Sequence, residues 1–285
     1  QNSFIVGFGG LDSVYKGLVD DIPRIVAVRR SSSRESRLSM ARELQSKMGM
    51  VPSLRHAHVV TLIGYCNDEP ELMLVYEYMA NGSLHDHLCD PNKDPLPWKR
   101  RLQICIGAAR GLSHLQSTVK LTNPHRNLKS TNILLYENWV AKVSDFGLSR
   151  RRGVGGAHTI VRGDLGSLDS DYILDDRLTE KSYVFSFGLL LFEVLCATKE
   201  STHWLDEDQV SLAQWIKSGI RNNLSGNIDP CLAGKIAPEC CRIFAETAIK
   251  CLLDKGSERP SMNDIVASLE AALKLQEASD NDEGV

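Results

Sequence analysis

The stretch NPHRNLKSTNILL, residues 123–135, places polar side chains at fixed spacing directly before an apolar run. Asn132 follows Asn127 by five residues, and Lys129 lies between them. A second stretch, KVSDFGLS at residues 142–149, adds Asp145 shortly afterwards. Chance agreement with one spacing pattern across both stretches is remote, so together they indicate a specific functional site.

The composition is that of an ordinary globular domain. Of 285 residues, 42% are apolar and 24% are charged, which suffices for one large core or two modest ones. A net charge of −3 gives no basic surface, so nucleic acid is not expected as a partner. Eight scattered cysteines without a Cys-x-x-Cys pair indicate reduced, buried thiols in a cytosolic domain.

No segment predicts a membrane span. The most apolar run, residues 184–197, is too short and contains Glu193, so we expect a buried core helix there. The sequence starts at Gln1, without an initiator methionine or a signal peptide, almost directly inside a strand-like segment. We therefore expect a piece cut from a longer polypeptide, whose other part carries the membrane anchor.

The pattern along the chain predicts an α+β fold with two lobes. Alternating β-branched and aromatic residues predict a small antiparallel sheet, interrupted by one helix at Ser39–Met50. Apolar residues at helical spacing over 98–115 make the second part mainly α. Ser261 and Asp264 form a capping box before a last helix. The predicted lobes cover residues 1–78 and 79–276, followed by a frayed acidic tail at 277–285.

Two stretches near the start add to the candidate site. VGFGGLDSVYKG, residues 6–17, supplies Gly7 and Gly9, where a missing side chain lets backbone amides approach phosphate oxygens, and Val14 to cover a base. Alone this signal is weak, because a plain structural hairpin has similar glycines. IVAVRR, residues 25–30, strengthens it by placing Arg29 where a V-A-I-K strand has its lysine. The alternative is an exposed arginine on an edge strand.

With these residues, the chain resembles a protein kinase domain from Ile5 to about Glu277. The stretches LRHAHVVTLIGYC, LVYEYMANGSLHDHL, ICIGAARGLSHL and RPSM are similar to plant receptor-like kinases of the Pelle class, nearest to the FERONIA-like group. The resemblance implies a bilobal kinase fold with EYMANGS, residues 77–83, as the connector. It also implies a cytoplasmic location, as the intracellular domain of a plasma-membrane receptor-like protein.

The resemblance further implies a role for each matching residue. The glycine-rich turn and the strand cation contact the phosphates of ATP in this family, and Lys129 corresponds to the residue that contacts the transferred phosphate. Asn132 and Asp145 correspond to the magnesium ligands. The residues implied to contact the cofactor are Gly7, Gly9, Val14, Ala27, Arg29, Glu77, Met79 and Leu134.

Several positions depart from the family pattern, and each predicts a weaker site. Asp12 stands for the third glycine and adds a like charge beside the phosphates. Aligned through LRH, the helix glutamate that should bond the strand cation falls on Lys47, so Arg29 would face a second cation. Glu43, one turn earlier, could neutralise Lys47 or reach Arg29 from a shifted helix. Asn127 replaces the catalytic carboxylate, and a neutral amide has essentially no basicity.

The chain after Asp145 is altered as well. Asp171 replaces a family glutamate that pairs with an arginine such as Arg259. Tyr183 replaces an aspartate that accepts hydrogen bonds from catalytic-loop amides. Asp164 and Ser167 stand where relatives have a hydroxyl residue and an aromatic residue, so the peptide-docking platform is suspect.

We interpret the chain as a pseudokinase, a signalling scaffold or regulator with weak or absent binding of ATP and magnesium. Its expected partners are an active receptor-like kinase, an immune receptor or a pathogen effector. Thr159 and Ser149 are candidate phosphorylation sites, with Arg126 as a phosphate partner. The alternatives are a low-activity serine/threonine kinase that uses Arg29 and Glu43, and a relic that merely folds.

Overall fold

The structure is a computed structural model, and it describes residues 5–9, 12–19, 24–48, 51–69, 71–90, 92–117, 128–145, 181–197 and 226–282. In these residues, an antiparallel sheet with one helix is followed by a mainly helical part. The predicted α+β bilobal architecture is therefore confirmed.

The first lobe is a five-stranded antiparallel sheet with the order β1-β2-β3-β5-β4. Its β-branched and aromatic residues favour extended backbone, and the predicted strands occur with ends shifted by a few residues. The stretch LRHAHVVTLIGYC, residues 54–66, also looks strand-like in sequence, but only Leu62–Cys66 within it is a strand. The strands are β1 (Ile5–Gly9), β2 (Asp12–Val19), β3 (Arg24–Ser31), β4 (Leu62–Cys66) and β5 (Met73–Glu77).

One helix, α1 (Arg34–Met48), packs against this sheet. Its apolar residues Met40 and Leu44 form a small core with Leu72 and Leu74. The helix begins five residues earlier than predicted. The Ser33 hydroxyl accepts a hydrogen bond from the Ser36 amide at 3.1 Å, a capping contact that satisfies a free amide of the first turn.

The second lobe is built from helices around one large apolar core. The predicted helix over 98–115 is confirmed, and the apolar run near residue 190 forms a buried helix as expected. None of the described helices combines the length and apolarity that a membrane span requires. The elements are α2 (Leu84–Cys89), α3 (Trp98–Ser117), β6 (Ile133–Leu135), β7 (Ala141–Val143), α4 (Ser182–Cys196), α5 (Pro238–Cys251) and α6 (Met262–Asp282).

The last helix confirms the predicted capping box and corrects the predicted tail. The Ser261 hydroxyl accepts a hydrogen bond from the Asp264 amide, and the Ser261 amide donates to the Asp264 carboxylate. Helix α6 continues through Asp282, so residues 277–282 are helical and not frayed. The Gln276 side-chain amide donates to Asp280 Oδ1 at 2.8 Å, an i,i+4 contact that supports this last part of the helix.

The cysteines are all free thiols, as predicted, and five of the eight are buried. Burial raises the pKa of the Cys105 thiol to about 12, so it remains protonated at neutral pH. Cys231 is exposed, and Cys66 and Cys89 are half-buried, so the expectation of burial is wrong for these three.

Candidate nucleotide-binding site

The register of the sheet brings the predicted phosphate-side residues together. Gly7 in β1 lies opposite Val14 in β2, and Val14 lies opposite Arg29 in β3. Ala27 lies opposite Tyr76 at the end of β5. Because alternate residues of a strand share a face, Ala27 and Arg29 lie on one face of the sheet.

Asp12 binds Arg29 directly. Two guanidinium nitrogens of Arg29, Nε and Nη2, lie 2.7 and 2.6 Å from Asp12 Oδ2. Asp12 is only 5% exposed, and its second oxygen accepts a hydrogen bond from the buried Ser36 hydroxyl of α1. The carboxylate at the glycine-loop position therefore binds the arginine directly, a contact that the sequence did not predict.

Glu43 completes this group of charges. Its Oε2 lies 3.0 Å from Arg29 Nη1, and its Oε1 lies 2.7 Å from Lys47 Nζ. The Tyr76 hydroxyl donates a third hydrogen bond to Glu43, at Oε1, with a length of 3.1 Å. The predicted repulsion between Arg29 and Lys47 is therefore wrong, because one buried carboxylate bridges the two cations. We call Asp12, Arg29, Glu43 and Lys47 the Arg29 cluster.

The surroundings favour the charged forms of Glu43 and Arg29. Burial by itself would raise the pKa of Glu43, but the Lys47 and Arg29 cations outweigh it, and the pKa is lowered. Burial would lower the pKa of Arg29, but Glu43 and Asp12 reverse this and raise it. Burial, reinforced by Glu43, raises the pKa of the Tyr76 phenol, so Tyr76 remains a hydrogen-bond donor at neutral pH.

The connector between the lobes, residues 77–83, is joined to β6 by backbone hydrogen bonds. The Asn81 amide donates to the Leu135 carbonyl at 3.0 Å, and the Leu135 amide donates to the Gly82 carbonyl at 2.8 Å. Met79 is buried, and Leu134 on β6 is half-buried. The Glu77 side chain, by contrast, binds Lys142 and the Thr61 amide, which the sequence did not predict.

The two predicted metal ligands lie next to each other. Ser144, which precedes Asp145, donates from both its amide and its hydroxyl to the Asn132 carbonyl, at 2.9 and 3.0 Å. Asp145 has a φ of 55°, a left-handed conformation that is strained for an aspartate and is common at functional sites. An amide and a carboxylate oxygen are hard ligands of the type that magnesium takes together with phosphates, so the pair fits that ion.

Lys129 is exposed at the start of this loop, and the following residue anchors it. The buried Ser130 hydroxyl donates to Glu193 of α4. In the described ranges, no group of three or more His, Cys, Asp or Glu residues forms another metal site. Sequence reasoning missed Ser36 and Ser130, because neither carries a charge that would single it out.

Several predicted positions lie outside the described residues. They are Arg126, Asn127, Ser149, Thr159, Asp164, Ser167 and the stretch 168–172 that contains Asp171. Tyr183 is buried in α4. Arg259 is also buried and donates to the carbonyls of Leu253, Lys181 and Asp254.

Comparisons with known proteins agree with this geometry. The family model described as "Protein tyrosine and serine/threonine kinase" matches residues 3–269. From Arabidopsis thaliana, "Receptor-like protein kinase FERONIA" is 48% identical over 100% of this chain and 32% of its own length, and ANXUR1 is 48% identical over 98% and 33%. THESEUS 1 is 47% identical over 98% and 33%, so the chain spans about a third of these relatives. The chain therefore belongs to the protein tyrosine and serine/threonine kinase family and, as predicted, is similar to plant receptor-like kinases within it.

Proposed function

We propose that this domain is a pseudokinase that binds nucleotide weakly or not at all and acts as a scaffold or regulator through protein contacts. The observation that carries the proposal is the bond between Asp12 and Arg29. Arg29 stands where the family has the cation for the nucleotide phosphates, and its guanidinium already has two carboxylate partners.

The charge balance of the Arg29 cluster opposes a triphosphate. Two cations and two carboxylates sum to zero, so the cluster offers an anionic ligand no net attraction. A phosphate that displaced Asp12 would leave that buried carboxylate without its charge partner. Breaking a buried ion pair in this way costs about 3–5 kcal/mol, comparable with the affinity of a millimolar ligand.

The catalytic loop supports the same proposal from the sequence. Asn127 replaces the carboxylate that accepts the proton of the substrate hydroxyl, and loss of a positioned general base costs about 10²- to 10⁴-fold in rate. Asn132 and Asp145 are retained and would hold magnesium, which when bound neutralises phosphate charge. Lys129 is retained for the transferred phosphate.

A second candidate function is a slow serine/threonine kinase. The observation in its favour is the Arg29–Glu43 ion pair, which reproduces a strand-to-helix contact with an arginine in place of lysine. With Asn132 and Asp145 also present, the positioning parts of a phosphotransfer site exist. Arginine is bulkier than lysine and does not substitute for it without shifting its partners.

Binding and turnover experiments separate these functions. We expect magnesium-ATP to raise the melting temperature of the purified domain by less than adenosine does, because only the phosphates meet Asp12. We also expect no phosphotransfer above that of Asp145→Asn. Turnover that disappears in Asp145→Asn would establish the slow kinase, and a shift of several degrees with magnesium-ATP alone would overturn the weak-binding proposal.

The family membership supports a proposal for the partners and the location of this domain. The relatives are receptor-like kinases, so we propose a cytoplasmic domain that contacts an active receptor-like kinase, an immune receptor or a pathogen effector. The lobes at 1–78 and 79–276 would present the contact surfaces. Affinity capture with sibling kinase domains tests this, and a domain that binds none of them would favour a relic.

A further inference from the structure

Strand β7 is connected to the first lobe along its whole length. The Val143 amide donates to the His58 carbonyl at 2.9 Å, and the Val60 amide donates to the Val143 carbonyl at 3.0 Å. The His58 ring donates from Nδ1 to the Ala141 carbonyl at 2.9 Å. The segment that leads into β4 therefore pairs with a strand of the second lobe.

The middle residue of β7 adds an ion pair. Lys142 Nζ lies 3.0 Å from Glu77 Oε1, and the same oxygen accepts the Thr61 amide at 2.7 Å. Glu77 is 5% exposed and Lys142 is 7% exposed. Among the described residues, this is the ion pair that joins the two lobes.

Because the Glu77–Lys142 pair is buried, loss of either partner is costly. Two charges removed from water are stable only if each remains paired and hydrogen-bonded, so separating the lobes here would leave each charge without its ionic partner. The surroundings are also closely packed. A Cβ on Gly111 of α3 would lie 2.3 Å from the His58 carbonyl oxygen. The backbone of α3 is therefore in direct contact with the segment that contains His58.

The ion pair lies between two parts of the candidate site. Glu77 ends β5 and begins the connector, whereas Lys142 lies three residues before Asp145 on the strand that delivers it. We propose that the Glu77–Lys142 pair is an interlobe strut that fixes the orientation of the lobes, and the place of Asp145, in the nucleotide-free domain. This role is independent of whether the domain transfers phosphate.

Hydrogen exchange measured by mass spectrometry tests the strut. In Lys142→Met we expect the amides of residues 58–62, 77 and 141–145 to exchange about tenfold faster or more, because the unpaired Glu77 favours local opening. The amides of α5 and α6 are expected to keep their wild-type rates. Lys99→Met is the matched control, because Lys99–Glu277 has the same chemistry at 3.1 Å but is exposed and lies within one lobe.

Glu77→Gln is the second variant, because glutamine keeps the length and the acceptor for the Thr61 amide. It is expected to give the same pattern as Lys142→Met with a smaller increase. Unchanged exchange at 58–62 and 141–145 in both variants would overturn the proposal. An equal increase throughout α5 and α6 in both variants would also overturn it, because the pair would then contribute only to global stability.

Discussion

The two lobes contribute different polar groups to the candidate nucleotide site. We call the first-lobe side, which carries the Arg29 cluster, the upper wall, and the second-lobe side, which carries Asn132 and Asp145, the lower wall. In the upper wall, Asp12 and Arg29 of the Arg29 cluster depart from the kinase pattern, whereas Glu43 pairs Arg29 with α1. In the lower wall, Asn132 and Asp145 match the pattern, and Asp145 has a strained backbone. The upper wall is thus satisfied without a ligand, whereas the lower wall keeps a conformation that contributes nothing to stability by itself.

Removal of Glu43 should give the largest effect on this contrast. Glu43→Gln leaves Lys47 and Arg29 buried with one anionic partner fewer, so the free energy of unfolding should fall by about 3–5 kcal/mol. Urea denaturation measures it. Glu69→Gln is the control, because Glu69 pairs with Arg37 of the same helix but is exposed, and it should cost about 1 kcal/mol or less. Equal losses would show that the cluster is not a special stabilising feature.

Asp12 should affect stability and nucleotide binding in opposite directions. In Asp12→Asn, the Arg29 pair loses its charge but keeps a hydrogen bond, so the free energy of unfolding should fall by about 1–3 kcal/mol. Affinity for magnesium-ATP should rise about tenfold, because a like charge is removed and Arg29 is partly released. Isothermal titration measures the gain. Glu71→Gln, which removes the exposed partner of Arg30, should not change the affinity.

Acid should affect His56, whose ring stacks on His114 of α3 where the two lobes meet, before it affects the upper wall. Burial, with His114 and His58 adding to it, lowers the pKa of His56 to about 4 from 6.5. Below pH 6.5 the unfolded chain therefore binds a proton that the folded domain does not, and stability falls until about pH 4. Solvent screening limits the loss to about 1 kcal/mol or less. Glu43, with a lowered pKa, adds its loss only below about 4.5.

Urea midpoints between pH 7 and pH 4 check this order. In His56→Gln the decline between pH 6.5 and 4.5 should become shallower, because that group no longer titrates. An unchanged slope would show that His56 is not responsible. In Glu43→Gln the decline should stay the same above pH 4.5 and should become shallower only below it, which assigns the two steps to the two regions.

The sequence predicted those parts of the molecule that short motifs encode. Gly7, Val14, Asn132 and Asp145 follow patterns of local spacing, and the structure pairs the first two and places the last two side by side. The partner of Arg29 was misassigned because counting back from LRH assumed a fixed distance to the helix. A short 3-10 turn at Val51–Leu54 follows α1, and the ion pair falls on Glu43, one helical turn before Lys47.

Contacts between segments that are distant in sequence could not be predicted, for a different reason. Glu77 and Lys142 belong to separate lobes, and neither the periodicity nor the motif around them indicates a partner. The contact between Ser36 and Asp12 could not be predicted either, because it depends on where α1 begins. The predicted helix began five residues late and left Ser36 outside it, so the face on which its side chain lies could not be deduced.

The smallest effect is expected from restoring the catalytic base alone. Asn127→Asp supplies a carboxylate, but catalytic groups act as a unit, and Asp12 still binds the arginine that should contact the phosphates. Phosphotransfer should therefore stay at the level of Asp145→Asn. Combined with Asp12→Asn, the same change should give measurable turnover, because base and phosphate site are then both available. Full activity from Asn127→Asp alone would mean that the upper wall accepts nucleotide as it is, and that the contrast between the walls has no bearing on catalysis.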